Sequence, residues 1–168
     1  MHLLQVCNVG SIVGGTAACA WSLTRAWPQL RHSVVFLSPV DQVTQQAFQP
    51  HSVASWSHCT AERIKALQPD LVVLHNVGKA GAGLWDGAFT IQYVHSVGSR
   101  LQADRTVYCS HWLARQVGAS AESVLWQGVP SPALTEACRP RFTDRLRVGR
   151  ICTPLMRKWP EALLVFYA

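Results

Sequence analysis

Two neighbouring glycines, Gly14 and Gly15, lie in the stretch NVGSIVGGTAACA (residues 8–20), after an apolar run and before a run of small residues. Glycines placed this way let a backbone come close to another group, and a helix starting there presents bare N–H groups to an anion. Further along, His75–Asn76 and His95–Ser96 end apolar runs, as do Ser110 and Gln127–Gly128. Arg150 and Lys158 supply fixed positive charge. Such a set suits chemistry that positions a substrate and stabilises a phosphate leaving group as its charge develops, without a metal ion.

Other chemistries fit the residues less well. The glycine turn reads G-x-x-x-G-G rather than G-x-G-x-x-G, and the next apolar run ends in LSPVD with no acid placed for a ribose, which disfavours hydride transfer from a dinucleotide. The segment VGKAGAG (residues 77–83) lacks the upstream glycine and the following Ser or Thr of a P-loop, and reads as a surface loop. There is no G-x-S-x-G elbow for a nucleophilic serine, and the scattered acids form no Asp-x-Asp pair for a divalent cation. The cysteines at positions 7, 19, 59, 109, 138 and 152 form no C-x-x-C and no zinc-like repeat with a histidine. They read as reduced, buried thiols, so neither a metal site nor a disulfide framework is expected.

Composition sets the frame. A chain of 168 residues, 49% hydrophobic and 14% charged, is one ordinary domain, or one with a short appendage, and can bury a true core. The net charge of +6 is concentrated between Arg139 and Lys158, where Asp144 is the only acid. Only Phe142 and Trp159 interleave or border that run, too few aromatics for a base-stacking surface, so no nucleic-acid partner is expected. A peripheral membrane contact stays open but has no positive support. No apolar run approaches the roughly 18 residues of a spanning helix. The first residues lack an early Lys or Arg, and Asn8 and the glycines interrupt them, so they read as a first strand in a cytoplasmic chain. The 7 tryptophans are expected in cores or interfaces.

The elements that must position these residues alternate along the chain. Short apolar runs at 3–9, 33–39, 71–76, 88–96, 105–110 and 122–130 read as buried strands. A helix after the glycine turn shows Ala20, Leu23, Trp27 and Leu30 at helical spacing, stopping near Pro28; a second covers 60–70 and ends at Pro69; a short third covers HWLARQVG. Residues 40–56 carry no clear pattern. This alternation implies an α/β domain with a Rossmann-like parallel sheet and helices on both faces, over residues 1–140. The prolines at 130, 132 and 140 suggest a linker, and residues 141–168 add a strand over 144–152 and the start of a helix from 158. Ligands of such sheets bind beyond the carboxyl ends of the strands, so the strand-end polar residues should line one edge.

The ordered series GSIVGGTA, LQPDLVVLHN, YVHS, ADRTVYCSHWLARQVG, VLWQGVP and RVGRICTPLMRKWPEAL resembles the family 4 type of glycosyltransferases. The resemblance covers nearly the whole chain as short matches in order. It implies the N-terminal half of a GT-B fold with a strand–helix stub of the second domain, and metal-independent, retaining hexosyl transfer from a nucleotide sugar to a glycosyl acceptor, with no cofactor. By the same resemblance Gly14 and Gly15 lie by the donor phosphate. His95 contacts the transferred sugar as the catalytic residue, with Ser96 where an acid commonly follows. His75, Asn76 and Ser110 fall among the substrate-binding strand ends. Arg150 and Lys158 clamp the donor diphosphate, with Arg157 as the alternative to Lys158.

In that family the second domain carries most donor contacts, including a spaced pair of glutamates. Glu161 is the only acid after Asp144. The chain by itself is therefore expected not to turn over a sugar nucleotide, either as part of a longer enzyme or beside a protein partner supplying the other domain. The alternative is a non-catalytic, glycosyltransferase-like binding or partner subunit.

Overall fold

The computed structural model describes residues 1–78, 83–98 and 101–128. The chain divides into the units Met1–Pro130 and Ser131–Ala168; the second, with the expected strand over 144–152 and helix from 158, lies outside the described residues.

The first unit is an α/β domain built on one six-stranded, all-parallel sheet. Its strands are β1 (His2–Cys7), β2 (Arg31–Phe36), β3 (Ser52–Ser55), β4 (Leu71–His75), β5 (Phe89–Val94) and β6 (Arg105–Tyr108), in the spatial order β3-β2-β1-β4-β5-β6. Its helices are α1 (Gly15–Ala26), α2 (Gln42–Ala47), α3 (Ala61–Leu67) and α4 (His111–Gln116). The chain winds outward from β1 to β3, returns to place β4 beside β1, then winds outward the other way. The β1/β4 junction is thus the point where the strand order reverses, the usual ligand crevice of a Rossmann-like sheet.

Strand periodicity divides the core. Leu4 and Val6 of β1, with Val72 and Leu74 of β4 and Val35 of β2, pack against Ile64 of α3 and Cys59. The alternate residues face α1: Cys7, Val34 and Phe36 meet Ala17 and Ala20, and Leu3, Val73, Tyr93 and Val107 meet Cys19. Leu113 and Ala114 of α4 close the far end on Val94 and Tyr108. Helices therefore cover both faces.

Three departures from the sequence reading have physical causes. Helix α1 buries Thr16, Ala17, Cys19, Ala20, Ser22 and Thr24, not the stripe through Leu23 and Trp27. Small residues let the helix lie close on the sheet, while Trp27 ends it, half-exposed. The patternless 40–56 segment forms α2, capped by the Asp41 carboxylate accepting from Thr44 N at 2.7 Å, and strand β3. The strand expected over 122–130 does not form among the described residues: a 3-10 turn at Ala121–Ser123 leads to a single bridge, Val124 to Tyr108. Among the described residues the tryptophans divide between the core margin and the surface. Trp27, Trp112 and Trp126 are 46%, 59% and 65% exposed, and Trp21, Trp56 and Trp85 sit at its margins.

No helix among the described residues is long and apolar enough to cross a membrane.

Candidate functional site

Along the carboxyl edge of the sheet, the strand-end residues tie neighbouring strands together. Asn8 N donates to His75 O at 3.3 Å across the β1/β4 junction, and Thr16 Oγ1 donates to Asn8 Oδ1 at 3.0 Å, fixing the start of α1 over that junction. On the other side Gly10 N donates to Ser38 Oγ at 2.7 Å, and Ile12 N to Thr44 Oγ1 at 2.8 Å. The glycine turn is therefore held by the ends of β1 and β2 and by α2.

The three glycines of this turn have different jobs. A Cβ on Gly10 would stand 2.1 Å from Pro39 O, so this position admits no side chain without moving backbone. On Gly14, the N-cap of α1, a Cβ would meet Ser11 O and Val9 Cγ2 at 3.1 Å. On Gly15 it would meet nothing within 4 Å, and the residue is exposed. Gly14 and Gly15 have no positive φ. The sequence reading placed the close backbone approach at Gly14 and Gly15; packing requires Gly10, tolerates little at Gly14, and leaves Gly15 open. No side chain caps α1, so its first N–H groups point past Gly15 without a side-chain acceptor.

At the ends of β4 and β5 the polar groups form a chain. The Gln5 amide nitrogen donates to Ala20 O at 3.1 Å, which turns its Oε1 toward His75 Nε2 at 3.1 Å. His75 is fully buried, and its Nδ1 lies 3.4 Å from His95 Nε2. The half-buried His95 ring packs on Tyr93, with ring centroids 4.5 Å apart. Asn76 takes a left-handed conformation (φ 58°) that turns its side chain back on the strand ends. Its Oδ1 accepts from His95 N and Ser96 N, both at 3.3 Å, and its Nδ2 donates to Ser96 Oγ at 2.8 Å. Asn76 thus sets the backbone that carries His95.

Burial keeps both histidines neutral. It lowers His75 to about 3, with repulsion from His95 adding to the effect, and lowers His95 to about 4. Burial also pushes the Cys19 thiol up to about 12, a hydrogen bond with Tyr93 opposing this in part. Cys19, one turn into α1, stands over the two imidazoles: one ligand atom from each of Cys19, His75 and His95 lies within 4.8 Å of the others.

The predicted site residues accordingly separate. Gly14, Gly15, His75, Asn76 and His95 gather around the β1/β4/β5 ends. His75 reaches the edge only through His95, and Asn76 spends both ends of its amide within the chain. Ser110 caps α4 two strands away, its Oγ accepting from Leu113 N at 3.2 Å. Arg150, Arg157 and Lys158 lie outside the described residues. A cavity of about 380 Å³ opens beside α1, lined by Cys19, Leu23, Trp27, Tyr93 and the 125–128 segment. Leu125 N donates to Tyr108 O at 2.9 Å, and Tyr93 OH donates to Leu125 O at 2.7 Å, seating that segment.

Gln5, Cys19 and Tyr93 were missed by sequence reasoning. Gln5 carried the one usable signal: an amide in the middle of the apolar run LLQVC must be buried, and a buried amide needs partners. No family model, curated protein or solved structure matches this chain.

Proposed function

We propose that this domain binds the phosphate-bearing end of a sugar nucleotide and serves as the acceptor-side half of a retaining, GT-B type glycosyl transfer. The observation that carries the reading is the open, uncapped start of α1 over the β1/β4 junction, with free space above Gly15 and His95 at the neighbouring strand end. Backbone N–H groups at a helix start stabilise a diphosphate as negative charge develops on it. Arg150 and Lys158, or Arg157 in its place, are the side-chain cations that the family resemblance assigns to the same diphosphate. His95 is the group assigned to the sugar, and Asn76 sets its place.

A second reading, a binding module without turnover, has its own support. The side chains of His75, Asn76 and Ser110 are engaged in holding the fold, which leaves few free groups at the edge to act on a substrate.

Calorimetry with nucleoside diphosphates and nucleotide hexoses tests the proposal. Gly15→Val fills open space rather than packed core, so it should fold normally and weaken diphosphate binding by about tenfold, or about 1.4 kcal/mol. Arg150→Ala should weaken it by a similar factor. Binding that ignores both substitutions would remove the sugar-nucleotide reading. Donor-dependent transfer to an added acceptor, lost in His95→Ala, would decide against the module without turnover.

A further inference from the structure

We propose that Cys19, His75 and His95 form a three-ligand site for a thiophilic divalent cation of the Zn²⁺ type. Spacing hides this trio in the sequence, and only the fold brings it together: α1 lays Cys19 across the ends of β4 and β5, which carry His75 and His95.

The hydrogen bonds decide what His75 presents. Because the Gln5 amide nitrogen is committed to Ala20 O, the end facing His75 is the carbonyl oxygen, and His75 Nε2 must carry the proton that donates to it. His75 Nδ1 is then a lone pair, aimed at His95 Nε2. An acceptor that takes the outer N–H of an imidazole, fixing its tautomer and orientation, is the usual second partner of a metal-bound histidine.

The distances also suit a shared ion. The two nitrogens are 3.4 Å apart, a long contact for a hydrogen bond. Two imidazole nitrogens bound tetrahedrally at about 2.0–2.1 Å from one Zn²⁺ are about 3.3–3.4 Å apart. A thiolate on the same ion sits about 3.6 Å from each nitrogen. One ligand atom from each of the three residues already lies within 4.8 Å of the others, so closing on one ion is a movement on the order of 1 Å. When the sulfur–metal bond forms, the thiol proton leaves to solvent. Two imidazoles and a thiolate are the ligand set of a zinc-type ion with its fourth position open. Cys19 also lines the cavity beside α1.

This inference does not rest on the glycosyl-transfer reading, but both draw on His95. The two use His95 differently, since an ion on Nε2 leaves only Nδ1 for any substrate.

The test uses the full chain, stripped with a chelator and then titrated with Zn²⁺ by calorimetry and with Co²⁺ by absorption. The site predicts one ion per chain, a raised melting temperature with Zn²⁺, and tetrahedral Co²⁺ bands with thiolate-to-metal charge transfer. Cys19→Ala should abolish the charge-transfer band. His95→Gln, at a half-buried position that leaves the core intact, should weaken Zn²⁺ binding by at least about tenfold with native circular dichroism. Absence of stoichiometric binding overturns the proposal. So does binding that His95→Gln leaves unchanged, which would put the ion on other residues such as Cys138 or Cys152.

Discussion

At the level of Val6 and His75 the two faces of the sheet differ in kind. Toward α3, Val6, Leu74, Val72 and Ile64 form a cluster held by apolar contact. Toward α1, the same two strands present Gln5 and His75: Gln5 bonds Ala20 O and His75, and His75 meets His95 through a hydrogen bond and both Tyr93 and His95 through ring contacts. Neighbouring residues of one strand thus serve opposite ends. The α3 face stabilises the domain because apolar burial is non-directional and tolerant. The α1 face accepts buried polar groups, which is safe only when each is satisfied, and gains fixed tautomers and orientations in return.

The largest test of this contrast is Leu74→Ala. It empties a fully buried site in the α3 cluster and should cost about 2–5 kcal/mol in denaturant unfolding. A loss below about 1 kcal/mol would mean that this face is not the main source of stability.

Next in size is the pair of glycine substitutions on the α1 side. Gly10→Ala should cost roughly 3 kcal/mol or more, since its Cβ meets backbone at Pro39 that cannot rotate away. Gly15→Ala should be neutral or stabilise by up to about 1 kcal/mol. Equal effects at the two positions, measured by thermal melts, would erase the distinction between a packed and an open part of the turn.

His75→Leu should then cost about 1–3 kcal/mol by orphaning Gln5 Oε1 in the core. The double variant Gln5→Leu/His75→Leu should recover part of that loss, because it removes both partners. Additive losses in this cycle would show that the polar chain is not a unit.

The same face should make the metal-free protein acid-sensitive. His75 and His95 sit below their unfolded value of about 6.5, at about 3 and about 4, because burial disfavours their charged forms. Between those limits the unfolded chain binds protons that the fold refuses, so stability rises with pH. It should be complete above about pH 6.5 and fall progressively toward pH 4. A melting temperature that stays flat from pH 7 to about pH 4.5 would be evidence that these rings are more accessible than their packing implies. His75→Leu should shrink the slope.

Much of the fold was legible because its signals are local. Apolar runs of strand length alternating with helical segments specify a parallel sheet, and the ends of β1, β4 and β5 fell close to where the runs stop. Helix α1 was placed correctly and Ala20 of its expected stripe is buried, but the rest of the face was misjudged: hydrophobicity pointed on to Leu23 and Trp27, whereas close approach to the sheet favoured Thr16, Ala17 and Thr24. In the described part of the 122–130 run only Val124 pairs, with Tyr108, because β-propensity proposes a strand but tertiary pairing decides it.

By itself the sequence determined the class of the domain, the edge on which its polar residues gather and the glycine-rich entry to α1. Those follow from periodicity and strand-end composition, which are properties of neighbours along the chain. Tertiary structure alone decided that Gly10 is the packed glycine and Gly15 the open one, that Asn76 and Ser110 brace the fold, and that His75 acts through His95. It also brought Cys19 to two histidines distant in the chain. Such facts depend on which elements cross and how closely, and nothing in the spacing of residues along the chain encodes a distance through space.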